Sequence, residues 1–265
     1  KVLYRNAINL NYQNNQVTSL SYVGYFEPQG HQNLFINLFP YPHGRRIIMK
    51  CEQVGDLFKA LGIFKNFHGG RMKLAAVKND DSGHNTPWQG KLLIEEFRLS
   101  QVPFLGRLLS LAFPTGFTDL FSEGNSMSFT KLKTKFQINS DKLLLTSGRA
   151  YGPSLGFTIN GSIQKGLNQL NIHGSIIPAY FLNTLIAKIP LIGQVLTGGK
   201  HEGIFGVSYT VQGTRTAPTI SVNPVSVFTP GFLRRLFAPT DADDVNFDEI
   251  NDIDDEKDFK EENLG

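Results

Sequence analysis

The sequence predicts a mainly β (α+β) fold: a twisted antiparallel β-sheet meander with one apolar face, three short amphipathic helices and an acidic tail. Three observations carry this expectation. Apolar and polar residues alternate over most of the chain, the period of a half-buried strand. The turns between alternating segments are short and polar, as at Ser140–Asp141 and Lys165–Gly166, which joins neighbouring strands antiparallel. Three longer apolar stretches break the alternation with helical spacing, each followed by glycine and then a strand.

The clearest strands are Gln16 to Phe26, ending before Pro28 and Gly30, and Asn33 to Phe39. Met127 to Ile138 sets Leu132, Phe136 and Ile138 on one face and Lys131, Lys133 and Lys135 on the other. Leu155, Phe157, Ile159 and Ile163 alternate with Ser154, Thr158, Asn160 and Ser162. Leu170, Ile172 and Ile176 follow, and Phe205, Val207, Tyr209 and Val211 close the pattern. The expected helices are Val54 to Phe64, Val102 to Phe121 and Ala179 to Leu196. The first and third run on to Gly69–Gly70 and Gly198–Gly199, read here as left-handed helix caps. A membrane span needs roughly 20 mainly apolar residues. Arg107 and Pro114, and Asn183, Lys188 and Pro190, interrupt the two longer segments, so covering the sheet or lying in a membrane interface suits them better.

The composition divides the chain at residue 237. Of 23 acidic residues, twelve lie between Asp241 and Glu262, beside only Lys257 and Lys260; the body keeps 24 basic and 11 acidic residues. Residues 1–237 are therefore expected to form one β-rich domain. Residues 238–265 cannot bury enough surface to offset their ordering entropy, and read as a disordered tail suited to docking a partner protein. The basic residues recur in pairs such as Arg45–Arg46 and Arg234–Arg235, not in a tract, and no nucleic-acid motif accompanies them. Anionic lipid head groups are the expected partner of the basic body, and nucleic acid is not. The 21 phenylalanines against 8 tyrosines supply apolar area without polar handles. The chain opens on Lys1 in strand character without an initiator Met, as expected of a piece of a longer polypeptide.

Motifs for chemistry are few. Gly152–Pro153–Ser154–Leu155–Gly156 matches the nucleophile elbow in letters, but that motif needs a helix after the serine, and the following residues alternate as a strand. Gly198–Gly199–Lys200 lacks the earlier Gly and the later Ser or Thr of a phosphate loop. The six histidines are scattered and Cys51 is the single cysteine, so no metal site or cofactor is expected. Glu95 and Glu96, adjacent on a strand, point to opposite faces and make no acid–base pair. The expectation is a protein without an enzymatic activity.

The segment Gly174 to Phe237 carries the identity. Its Pro178–Ala179–Tyr180 with Asn183, Lys188–Ile189–Pro190–Leu191–Ile192–Gly193, Glu202–Gly203–Ile204–Phe205, Ser221–Val222–Asn223–Pro224 and Pro230–Gly231–Phe232–Leu233–Arg234 stand in an ordered series. Upstream, Gly55–Asp56–Leu57–Phe58, Gly69–Gly70–Arg71, Leu108–Leu109–Ser110 and Gly152 to Gly156 continue it. From about Cys51 to Phe237 the chain resembles the C-terminal region of the AsmA-like superfamily, the AsmA, YhdP and TamB type of Gram-negative envelope protein. Pro114 and the acidic tail depart from that pattern.

The resemblance implies a periplasmic β-sheet trough whose parent chain is anchored in the inner membrane. It implies movement of phospholipid between membranes, in support of outer-membrane lipid homeostasis, with acyl chains and a membrane surface as partners. The trough is expected to be lined by Leu155, Phe157, Ile159, Leu170, Ile172, Phe205, Val207 and Tyr209. A cap or membrane-interface helix is expected to present Tyr180, Leu182, Leu185, Ile189, Leu191 and Ile192. The alternative is a scaffold for outer-membrane assembly, with the sheet as a core and the tail as the docking segment.

Overall fold

A computed structural model describes residues 4–13, 16–25, 34–81, 85–101, 103–112, 126–178 and 204–228. The described residues form one twelve-stranded antiparallel sheet in which spatial order equals sequence order. The strands are β1 (Tyr4–Gln13), β2 (Gln16–Tyr25), β3 (Leu34–Tyr41), β4 (Gly44–Cys51), β5 (Phe67–Asn79), β6 (Trp88–Ser100), β7 (Ser126–Ile138), β8 (Lys142–Tyr151), β9 (Leu155–Gln164), β10 (Gln169–Pro178), β11 (Ile204–Thr214) and β12 (Pro218–Phe228). The expected meander is thus present throughout, and the alternation identifies its faces.

Two helices are described, α1 (Val54–Ala60) between β4 and β5 and α2 (Pro103–Ala112) between β6 and β7. The expected third helix, Ala179 to Leu196, and the tail from residue 238 lie outside the described residues. Helix α1 is shorter than the apolar stretch that suggested it. Asp56 in its first turn and Lys59 in its last suit the helix dipole. The chain then reverses at Leu61, whose N–H donates to the Leu57 carbonyl at 3.0 Å, and at Gly62, which has a φ of 67°. Gly62, not Gly69–Gly70, supplies the left-handed residue after this helix. The glycine pair instead lies inside β5, with φ of 64° and 89°, opposite Glu96 at 55°. Positive φ on both strands marks a local irregularity that sharpens the twist beside α1. Helix α2 opens on Pro103, where a missing N–H costs no hydrogen bond.

Both helices lie on the same face of the sheet. Val54 and Leu57 of α1 and Leu108 and Leu109 of α2 join one core with Leu34, Cys51, Met72, Ile94, Phe97, Met127, Leu155, Ile176 and Tyr209. Helix α1 packs on β5 and α2 on β12. Helix α2 follows β6, and β12 is six strand spacings from β6. At about 4.8 Å per strand that is about 29 Å, against about 15 Å for ten helical residues, so twist and curl of the sheet bring β12 towards it. A ladder of phenylalanines runs beneath the helices. Phe67 and Phe97 stack at 4.8 Å, Phe97 and Phe129 at 5.0 Å, and Phe129 meets Phe157 edge-on at 5.4 Å.

The start of β4 is pinned to the end of β5 by a forked ion pair. Arg45 Nε and Nη2 donate to the two oxygens of Asp80, each at 2.8 Å, while Nη1 donates to the Val17 carbonyl of β2 at 3.3 Å. The Arg45 guanidinium holds the Asp80 carboxyl below its ordinary range. A carboxyl with a lowered folded pKa adds stability that is present above its unfolded pKa and is lost as pH falls through the folded value. Asp80→Asn is therefore expected to lower stability by about 1 kcal/mol at neutral pH, a partly exposed pair being worth little more. The deficit should shrink in acid below the ordinary carboxylate range, as read by urea unfolding at a series of pH values.

Candidate functional site: an apolar row across twelve strands

Cross-strand register turns the alternation into a surface. Starting at β1, the paired residues are Leu10, Leu20, Leu38, Ile47, Ala76 and Gly90, one from each strand in order. From β7 to β12 the same row continues through Phe136, Leu145, Gly161, Ile172, Val211 and Ile220. No polar side chain interrupts it. Eleven spacings of about 4.8 Å make the row about 53 Å long. A second row runs parallel to it from Gly24 through Leu34, Cys51, Met72, Ile94, Leu132, Ala150, Phe157 and Ile176 to Val207. On β3 the two rows are four residues apart, about 13 Å along the strand.

Seven of the eight residues expected to line a trough fall on this one face, and the side chain of the eighth, Phe205, lies outside the described residues. Phe157 pairs with Ile176, Leu170 with Ile163 and Ile172 with Val211. Phe205 holds the matching backbone position, opposite Val227. Their burial separates them into two sets. Leu155, Val207 and Tyr209 are packed into the core, whereas Phe157, Ile159, Leu170 and Ile172 are half-buried. At the opposite edge the face is open: Ile8 is 67% and Leu10 51% exposed. The expected cap-helix residues Tyr180, Leu182, Leu185, Ile189, Leu191 and Ile192 lie outside the described residues.

Tyr209 is more than lining. Its ring lies over Gly174, its register partner, and its hydroxyl donates to the Thr158 carbonyl of β9 at 2.7 Å. Burial pushes the phenol pKa well above its ordinary value, so it remains a donor across the working pH range. Cys51 is buried at the β4 position of the second row, and desolvation pushes its thiol up to about 11. At neutral pH it is a small apolar packing group and not a nucleophile.

Other features singled out in the sequence resolve simply. Gly152 to Gly156 forms the turn of the β8–β9 hairpin, with the Gly152 N–H donating to the Leu155 carbonyl at 2.9 Å, so Ser154 stands between two strands and precedes no helix. Glu95 pairs with Lys131 at 2.9 Å and Glu96 with Arg71 at 3.2 Å. Among the described residues no three His, Cys, Asp or Glu side chains cluster at metal-binding distance, and no helix is long and apolar enough to cross a membrane. Compared with known protein families, curated proteins and solved structures, the chain finds no match.

Proposed function

We propose that the chain is a non-enzymatic segment of a phospholipid-conducting bridge in a bacterial periplasm, as the AsmA-like resemblance implies, and that acyl chains lie along the apolar row. The observation that carries this reading is the row itself. Twelve consecutive strands present an apolar side chain or glycine at matched register, and several of the central residues stay half-buried. A core has no need of so long an unbroken row, since a sheet stabilises itself as well with local clusters. Acyl chains gain about 0.8 kcal/mol per CH₂ buried. A smooth surface of Leu, Ile, Val and Phe would hold them without fixed polar contacts, and so without pinning them. No bond is made or broken in this role.

A second reading, a scaffold whose apolar face is ordinary core, is favoured by the full burial of Leu155, Val207 and Tyr209 beneath the helices. The two readings differ in what the purified chain retains. The conduit reading expects phospholipid to copurify and to be released by Ile172→Asp, with the fold kept because Ile172 is only half-buried. Lipid-free wild-type protein would favour the scaffold.

A further inference from the structure

The connection from α1 to β5 forms an apolar tip that is held out from the protein. After α1 the chain turns through a complete Schellman cap. The Gly62 N–H donates to the Lys59 carbonyl at 3.2 Å and the Ile63 N–H to the Phe58 carbonyl at 2.9 Å, around Gly62 at a φ of 67°. In this motif a hydrophobic contact frequently folds the residue after the glycine back on its helix. Here Ile63 stays 57% exposed, and Leu61, on the other side of the glycine, is 62% exposed. Their neighbours are buried instead. Phe58 and Phe64 both meet Phe67 edge-on, with ring centroids 5.0 and 6.5 Å away, and pack against the main core. Two phenylalanines thus anchor the tip while its two aliphatic side chains meet solvent.

The turn itself does not call for Leu or Ile. Its hydrogen bonds are all backbone, and its left-handed φ falls on Gly62. The surroundings suit a bilayer interface. From Leu57 to Gly70 the chain has no acidic residue, and the exposed Lys59 and Lys65 stand on either side of the tip. The nearest acids in sequence, Glu52 and Asp56, lie before α1 and in its first turn. Lysine stems lie along apolar surface while their ammonium groups reach outward, the arrangement found at membrane interfaces. The same end of the sheet repeats the pattern. In an antiparallel meander the β4–β5 and β6–β7 connections leave by one end, so α2 is at the end that carries the tip. It keeps Leu111 42% exposed and Arg107 exposed, and has no acid in its length.

We propose that the α1–β5 tip anchors the protein to an anionic membrane. Leu61 and Ile63 enter the boundary between head groups and acyl chains, and Lys59 and Lys65 lie against the phosphates. This contact is separate from the interface helix expected at Ala179 to Leu196, and it stands whether or not the apolar row carries lipid.

Two measurements on the full chain test it, both with phosphatidylcholine vesicles prepared with and without phosphatidylglycerol. The first is co-sedimentation. Wild-type protein should bind the vesicles that contain phosphatidylglycerol. The double variant Leu61→Ser with Ile63→Ser should bind them about tenfold or more weakly, because two apolar insertions are lost. Lys59→Gln with Lys65→Gln should also lose about tenfold. Leu167→Ser is the control: Leu167 is 65% exposed beside Lys165 in the turn at the opposite end of the sheet, and its binding should stay within about twofold. Melting temperatures should not change, since every substituted side chain is exposed. The second measurement is independent of those variants. Cys51 is buried and its thiol is raised to about 11, so a cysteine introduced by Ile63→Cys takes an environment-sensitive fluorophore selectively. Its emission should shift to the blue when the anionic vesicles are added, and the same label at Leu167→Cys should not respond. Absence of wild-type binding, equal binding to neutral vesicles, an equal loss in Leu167→Ser, or a label at position 63 that stays in water while the protein is bound would each overturn the proposal.

Discussion

Replacing Phe97 by Ala is expected to remove about 3–5 kcal/mol of folding stability, the usual range for a buried phenylalanine truncated in a core. Phe97 is 3% exposed and sits in the middle of the ladder, stacked on Phe67 at 4.8 Å and on Phe129 at 5.0 Å. Two contributions combine there. The cavity left beneath the helices costs transfer and packing energy, and two ring pairs worth about 0.5–1.5 kcal/mol each are lost with it. Since domains are stable by about 5–15 kcal/mol, the variant should be close to unfolding at moderate urea concentrations. Phe97→Leu, which keeps most of the volume, should retain the larger part of the stability. A similar loss in both variants would place the energy in ring stacking and not in cavity formation.

Gly174→Ala should cost about 2–4 kcal/mol, a large effect for one methyl group. Gly174 is the residue of β10 over which Tyr209 reaches to β9. A Cβ there would lie 1.9 Å from the Thr158 carbonyl oxygen and 2.8 Å from the Tyr209 hydroxyl. The first contact is backbone and cannot rotate away, so β10 must move off β9. The second displaces the hydroxyl that donates to that carbonyl. Tyr209→Phe separates the two contributions, since it removes only the hydrogen bond and should cost about 1 kcal/mol. Thermal unfolding of the two variants side by side is the check. Equal losses would mean that the close approach of β9 and β10 contributes little.

The alternation made the faces of this sheet legible before its topology. Leu132, Phe136 and Ile138 opposite Lys131, Lys133 and Lys135 already set two chemistries on two sides of β7, and the structure keeps that division. Leu155, Phe157, Ile159, Leu170, Ile172, Val207 and Tyr209 share a face for the same reason, because strand period is local and survives whatever the neighbours are. Properties that depend on register were not legible. The phenylalanine ladder joins residues about thirty apart in sequence. The Gly69–Gly70 pair was misread because left-handed φ serves both a helix cap and a strand irregularity. Only the pairing of β5 with β6 distinguishes the two uses. The packing of α2 on β12 required the curl of the whole sheet, which no short window of sequence encodes.

The central claim is that acyl chains occupy one continuous row. Photo-crosslinking residues placed one at a time at Leu10, Phe136, Leu145 and Ile172, with controls at Asn9, Gln137, Thr158 and Asn171 on the opposite face, test it in cells. The conduit reading predicts phospholipid adducts at all four row positions and at none of the controls. Adducts absent from the row, or equal on the two faces, would contradict it.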